Sequence, residues 1–263
     1  MGGGGGIVTT DLRSNTRRRH ERLMTLLRSG TTHVDELSSA LGVSPSTVRR
    51  DLGRLGDEGV VTRTYGGAVT TGPFRERELS ERLRLEQSAK AAIGARAAEL
   101  VTDGATVFVD AGSTCAQLAE HLRDRSLTVV TRGLEIAIML AAFPHVEVVV
   151  PGGVVAPKSH GLVGPLTDLA LDRLVVDVAF LGVDAVDPVK GVGEPTLAEA
   201  QVKERVAREA GRVVVLADAT KLSRGSVPAW APLPDGWTLV TNETRAEVLG
   251  RFESAGVDLV VAD

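Results

Sequence analysis

The chain has 263 residues, of which 43% are hydrophobic, 24% charged and only 3% aromatic. These values exclude a peptide, a mini-scaffold and a largely disordered chain, and they require a core of Val, Leu and Ala rather than of rings. The net charge of −4 is uneven: residues 1–72 hold ten basic and seven acidic side chains, a net of +3, and residues 73–263 a net of −7. A small basic head before a larger acidic body is the asymmetry of a nucleic-acid module joined to a second function. The single cysteine, Cys115, excludes an internal disulfide and a thiolate metal cluster. No apolar run reaches the roughly 18 residues of a membrane span. A cytoplasmic protein with no membrane association, no metal and no cofactor is therefore expected.

In chain order, residues 1–15, with the run Gly2 to Gly6, read as a flexible tail. The head spans 16–72. Leu23, Leu26 and Leu27 predict a helix from Arg19 to Arg28, stopped by Ser29-Gly30, and a second helix from Val34 to Leu41 follows a Thr32 cap and ends at Gly42. The third helix carries the chemistry. Ser44 stands as its N-cap, Pro45 takes the first helical position and Thr47 the N3 position. Helical periodicity puts Val48, Leu52 and Leu55 on one face and Ser46, Arg49 and Arg50 on the other, with Thr47 and Arg54 on the flank.

Hydroxyls near a helix N-terminus and arginines along its exposed face suit the major groove of DNA. After a Gly59 stop, Val60 to Tyr65 alternates as a strand, Gly66-Gly67 turns, and Ala68-Val69 begins the return, a wing that offers Arg63 to phosphate or the minor groove. The head thus reads as a winged helix-turn-helix, with the helix-turn-helix near residues 33–52. Ser44, Ser46, Thr47, Arg49, Arg50, Arg54 and Arg63 are the candidate contacts to double-stranded operator DNA. Asp51 reads as structural, either an intrahelical partner of Arg54 or a cap for a neighbouring helix.

Arg19, Leu23, Leu27, Ser44 and the run Thr47-Val48-Arg49-Arg50-Asp51-Leu52 resemble, in type and spacing, the amino-terminal signature of the DeoR family of bacterial transcription regulators.

A connector over 73–87 interleaves acids and bases, as in Phe74-Arg75-Glu76-Arg77-Glu78, and reads as a solvated helical linker. The body, 88–263, alternates apolar runs with helical stretches. Strands are predicted at Thr106 to Val109, Leu127 to Thr131, Val146 to Val150, Val176 to Leu181, Val213 to Leu216, Thr238 to Thr241 and Asp258 to Val261. Near-continuous Val/Leu strands with helices between them predict a Rossmann-like α/β domain around a mostly parallel sheet.

Ligands of such sheets sit beyond the carboxyl ends of the strands. The residues there are small and polar: Asp110-Ala111-Gly112-Ser113-Thr114, Thr131-Arg132-Gly133, Pro151-Gly152-Gly153, Gly182-Val183-Asp184 and Asp218-Ala219-Thr220-Lys221. Glycines admit an anion to the backbone, hydroxyls at a helix N-terminus and Lys221 bind it, and Asp110 and Asp184 accept from sugar hydroxyls. The candidate effector site is Asp110, Gly112, Ser113, Thr114, Arg132, Gly152, Gly153, Asp184, Lys203 and Lys221, fitted to a small phosphorylated sugar or polyol. Arg132 fits either phosphate contact or a place on the rim. Thr196 and Glu199 have capping-box spacing and Glu199 with Lys203 is an i,i+4 pair, so helix bracing and ligand contact both stand for them. Cys115 reads as an apolar filler on the first turn of a helix.

The resemblance extends through Lys90, Asp103-Gly104, Asp110 to Thr114, Gly152-Gly153, Gly164-Pro165, Asp177, Phe180-Leu181-Gly182, Glu199, Lys203 and Asp218 to Lys221, which are similar to the family's sensor domain. It implies a sugar-phosphate-binding fold related to ribose-5-phosphate isomerase and CoA-transferase-like proteins. It also implies a homo-oligomer, dimeric or higher, that leaves DNA on sensing a phosphorylated intermediate. Arg132 stands where the family usually has Asn, and Asn242 where it usually has Asp. The expected function is a non-enzymatic repressor of a sugar or polyol catabolic operon. The alternative is a sugar-phosphate isomerase-like enzyme with a DNA-binding head, since Asp110, Asp184 and Lys221 are proton carriers.

Overall fold

The computed structural model describes residues 8–28, 33–57, 61–64, 67–70, 76–222 and 227–263, in two compact units, Met1–Arg75 and Glu76–Asp263. The first contains α1 (Val8–Arg28), α2 (Val34–Leu41), α3 (Pro45–Asp57), β1 (Val61–Thr64) and β2 (Gly67–Thr70). Leu23 and Leu27 of α1, Leu37 of α2 and Val48, Leu52 and Leu55 of α3 form its core with Val61. The turn from α2 into α3 needs Gly42, whose φ of 66° is open to glycine at no steric cost and whose N–H caps the carbonyls of Ser38 and Ser39. β1 and β2 form an antiparallel hairpin that pairs Val61 with Thr70 and Thr64 with Gly67.

Three expectations for the head change. Helix α1 starts at Val8, so the tail expected through residue 15 is helical from that point; once its packed end is formed, a stretch without Gly or Pro propagates the helix backwards. The N-cap of α2 is His33, with no side-chain cap bond. Gly67 opens β2 instead of sitting in the turn. Thr32, Ser29-Gly30, Gly59 and Gly66 lie outside the described residues.

The second unit runs α4 (Leu79–Arg82), α5 (Gln87–Ala98), β3 (Thr106–Val109), α6 (Ser113–Glu120), β4 (Leu127–Thr131), α7 (Leu134–Leu140) and β5 (Val146–Val149). It continues with β6 (Val154–Val155), β7 (Leu162–Val163), α8 (Pro165–Leu171), β8 (Val178–Gly182), β9 (Ala185–Asp187), β10 (Gly191–Glu194) and α9 (Leu197–Glu209). It closes with β11 (Arg212–Leu216), β12 (Ala229–Ala231), β13 (Thr238–Thr241), α10 (Ala246–Glu253) and β14 (Asp258–Val261). Seven strands form one sheet in the order β14-β13-β11-β8-β3-β4-β5, every pairing parallel. Strand alternation divides the core. Val107, Val109, Phe180 and Val214 face one layer with Ile93 of α5 and Leu118 of α6, while Phe108, Ala179, Leu181 and Val215 face the other with Val202 of α9 and Phe252 of α10. Smaller antiparallel pieces, β12-β10-β9 and β6-β7, are added to this frame.

The topology fixes where a ligand belongs. From β3 the chain winds outward through β4 to β5, then returns to β8 on the other side of β3 and winds to β14. The switch point therefore lies between β3 and β8, and loops leaving those strands in opposite directions open a crevice.

The connector is not a solvated helical linker. Among its described residues α4 and the first residue of α5 are helical, the second unit already begins at Glu76, and the side chains of Arg77 and Arg82 are largely buried. Charge interleaving suggested local i,i+4 partners, and Arg77 pairs with Glu81 in that way, but Arg82 also finds contacts at Asp184 and the Lys158 carbonyl, far away in sequence. Among the described residues no helix is long and apolar enough to cross a membrane.

Candidate functional site

In the first unit, Ser44, Ser46, Arg49, Arg50 and Arg54 are exposed and Thr47 is half-buried, opposite the buried Val48, Leu52 and Leu55. Ser44 caps α3 by accepting from the Thr47 N–H at 3.2 Å, and its Oγ shares hydrogen bonds of 2.9 Å with the hydroxyls of Ser46 and Thr47. Asp51 is structural, with a partner the sequence reading did not name. It accepts from Arg19 Nε at 2.6 Å and Nη2 at 3.2 Å and lies 3.1 Å from His20 Nε2, stapling α3 to α1. Burial pushes the Asp51 carboxyl up, and Arg19 and His20 more than offset it, holding it below its ordinary range. Arg63 falls on β1, with its side chain outside the described residues.

In the second unit a cavity, partly open to solvent, lies at the switch point. Ala111 to Thr114 from β3, Gly182 to Asp184 from β8, Arg132 from β4 and Lys221 after β11 line it, with Lys203 and Glu199 of α9 and Glu194 of β10. Helix α6 begins at Ser113, after Gly112 in an extended turn with a φ of 117°, so the free N–H groups of its first turn border the cavity.

Beneath the cavity lies a buried charge cluster. Asp110, with no exposed surface, accepts from Arg132 Nε at 2.5 Å and from the Ala111 N–H at 2.7 Å, and its other oxygen is 3.1 Å from Lys203 Nζ. Lys203 also donates to Glu194 and to the Gly182 carbonyl. Burial pushes Asp110 up, but Arg132 and Lys203 hold it below the carboxylate range; burial lowers Lys203, and Asp110 and Glu194 more than restore it. Burial, with Asp184 and Asp110 nearby, pushes Glu194 up to about 8 against the pull of Lys203. Arg132 Nη1 is buried without a hydrogen-bond partner.

The rim is looser. Asp184 lies 3.3 Å from Lys221 Nζ and 3.6 Å from Arg82 Nη1, and Arg82 Nη2 lies 3.5 Å from Glu76. Ser159 donates to Glu199 at 2.7 Å, and Glu199 with Thr196 closes the capping box of α9. The arrangement supplies cations and backbone donors for an anion, and carboxylates for hydroxyl groups.

The sequence matches the model of the DeoR C terminal sensor domain over residues 85–243 and that of the DeoR-like helix-turn-helix domain over residues 18–73. The chain belongs to the DeoR family. It is a DNA-binding transcriptional regulator. It is 36% identical to the HTH-type transcriptional regulator GlpR of Haloferax volcanii, over 86% of this chain and 90% of that protein. To the HTH-type transcriptional regulator GolR of Listeria innocua it is 31% identical, over 88% and 92%. To the glycerol-3-phosphate regulon repressor of Haemophilus influenzae it is 27% identical, over 93% and 96%.

Within this DeoR sensor unit the structure brings Gly112, Ser113, Thr114, Arg132, Asp184, Lys203 and Lys221 together at one cavity. Three expected residues are not on its wall. Asp110 lies under it, locked between two cations, so it orients Arg132 and Lys203 and has no surface to offer a sugar or a transferable proton. Gly152 and Gly153 follow β5, an edge strand: packing requires Gly153, on which a Cβ would lie 2.1 Å from Thr167 Oγ1, whereas Gly152 has open space around it, a φ of 78° and a carbonyl that accepts from Thr167 Oγ1. Arg132 is a buried wall residue, and Lys203 pairs with Asp110 and Glu194 rather than with Glu199. Asn242 still does what an acceptor must at its position, taking the Ala219 N–H at 2.9 Å and shaping the turn that carries Lys221. Cys115 is a buried filler whose thiol burial pushes up. Sequence reasoning missed Arg82, Ser159 and Glu194. No local pattern marks Ser159 or Glu194, whereas Arg82 had a signal, a basic side chain just ahead of the buried Lys90.

Proposed function

We propose that this regulator represses a sugar or polyol catabolic operon in the cytoplasm and leaves its operator when a phosphorylated sugar or polyol fills the switch-point cavity. The observation that carries the reading is the cavity's lining: Arg82 and Lys221, which share Asp184, the first turn of α6, and the carboxylates of Glu194 and Glu199 all face one cavity. The Haemophilus influenzae relative, a glycerol-3-phosphate regulon repressor, supports the same ligand class. Ser46, Thr47, Arg49, Arg50 and Arg54 read operator DNA from α3, with Ser44 as the cap and Arg63 on the wing. Two heads on paired half-sites require at least a dimer. The ligand must favour one arrangement of those heads, because equal affinity for both would shift nothing.

The test is thermal unfolding of the full chain with a panel of sugar and polyol phosphates and their unphosphorylated parents. A bound compound at a hundred times its Kd stabilises by about 2.7 kcal/mol. A phosphorylated compound should stabilise and should release duplex DNA selected from a random pool in a gel shift. Turnover of an aldose or ketose phosphate would instead point to the isomerase, and an unresponsive panel would reject a sensor of this class.

A further inference from the structure

We propose that Arg82 is an effector-contacting residue, and that the ligand's anionic group draws it from Asp184 and Glu76, so that the connector itself reads the occupancy of the cavity. This rests on the sugar-phosphate reading above and adds the element that transmits it.

The cations of the site fall into two classes. Arg132 and Lys203 are committed to Asp110 and Glu194 through short, fully buried contacts. Arg82 is held only by long ones, at 3.3 Å to the Lys158 carbonyl, 3.5 Å to Glu76 and 3.6 Å to Asp184. Its Nε is buried without a hydrogen-bond partner. Charge-assisted bonds from arginine normally lie at about 2.7–2.9 Å, and a guanidinium presents a fork that suits an oxyanion. Asp184 is in turn shared between Arg82 and Lys221. Asp184 and Glu76 thus oppose the two cations only at 3.3 Å or more, contacts that a phosphate, with several oxygens, would exchange for shorter ones to both.

Arg82 belongs to the segment through which the chain enters this unit from Arg75. The main chain of that segment is fastened by lysines from the body: Lys158 Nζ donates to the Glu76 carbonyl at 2.9 Å, and Lys90 Nζ to those of Arg82 and Leu85 at 2.6 Å each. With the backbone tied at both ends, the Arg82 side chain is the link between α4 and the cavity. A ligand that bonds it changes the balance of contacts holding the connector, which is the differential interaction a switch requires. Burial, with Glu199 and Asp184 nearby, also pushes Glu76 up to about 7, which makes it a weak competitor for Arg82 near neutral pH.

The experiment uses the full chain with inorganic phosphate, ribose 5-phosphate and glycerol 3-phosphate as probes, alongside the wider panel. Binding is followed by thermal shift, and hydrogen exchange is measured on peptides covering 77–86, with β4 as an internal reference. The expected result is a several-fold change in exchange over 77–86 for any probe that binds, and at least a tenfold loss of affinity for it in Arg82→Gln. Should Arg82→Gln fold poorly, the wild-type exchange pattern decides alone. Binding with unchanged exchange over 77–86, or with undiminished affinity in a folded Arg82→Gln, overturns the role of Arg82 and leaves the sugar-phosphate reading standing. If no phosphate compound binds the wild-type chain, both fall together.

Discussion

Asp110→Asn puts the buried cluster to a quantitative test. Asp110 is the carboxylate facing both Arg132 and Lys203 and is held in its charged form by them. An Asn of the same shape keeps an acceptor for Arg132 but removes the charge, leaving two buried cations beside Glu194, a carboxyl that ordinarily keeps its proton to about pH 8. Uncompensating one buried charge typically costs about 3–5 kcal/mol. For a unit of this size each kcal/mol lowers the Tm by roughly 2–4 °C, so a fall of roughly 6–20 °C is expected in thermal unfolding followed by circular dichroism. Lys203→Met added to Asp110→Asn removes the excess cation and should recover a large part of the loss, a coupling that a double-mutant cycle reads directly. A fall of less than about 3 °C, or a double variant whose cost is the plain sum of the two singles, would refute the claim that these residues balance one another.

Three other outcomes follow from named contacts. Asp51→Asn should weaken the head by about 1–3 kcal/mol, since Arg19 and His20 lose their charged partner at a partly exposed site; the head's own unfolding transition and its DNA affinity should fall together, and an unchanged transition would remove the staple from the account. Gly94→Ala should be destabilising by about 1–3 kcal/mol, because the new Cβ would lie 2.7 Å from the backbone of Gln117 and Leu118 where α5 crosses α6; a variant with the wild-type Tm would show that the crossing yields without cost. Glu76→Gln should change the pH profile. A folded value near 7 against an ordinary 4.5 means that the fold holds this proton more tightly than the unfolded chain does, so its contribution is intact below pH 4.5, lost as pH rises towards 7 and level beyond. The Tm of Glu76→Gln relative to wild type should therefore be higher at pH 8 than at pH 5, and a difference independent of pH would remove the burial argument.

The strands of the body were legible because they read as short Val/Leu-rich runs, the central ones buried on both faces; Thr106–Val109, Leu127–Thr131, Thr238–Thr241 and the more exposed edge strand Asp258–Val261 fall where the sequence puts them. The recognition helix was legible because its capping and face pattern are local, with Ser44, Pro45 and the Val48, Leu52, Leu55 stripe within a few turns. What escaped was non-local. The Asp51 staple joins residues 32 positions apart, and Arg82 meets a carbonyl 76 positions away. Post-strand position alone also over-selected: Gly152 and Gly153 follow a strand, but an edge strand two removed from β3 and not on the cavity wall, where the Gly153 position answers to Thr167.

The charge division also explains how an acidic body can attract an anion at all. Its net of −7 opposes a phosphate only at long range, and at physiological ionic strength that opposition is screened beyond about 8 Å. On the proposed reading a phosphate at contact would meet Arg82, Lys221 and the first turn of α6, while Asp110 and Glu194 are occupied with buried cations. A nucleic acid, with charge spread over many phosphates, samples a wider surface and finds its net attraction at the +3 head. On that reading the same sequence would separate its two anionic partners by the range over which each is felt. Reversing a few exposed acids of the body, such as Glu99, Glu209 and Glu253, to Lys should leave effector affinity nearly unchanged while raising nonspecific DNA binding with a steeper salt dependence. A large gain in effector affinity from those distant changes would show that the cavity is steered by the whole field and not by its own cations.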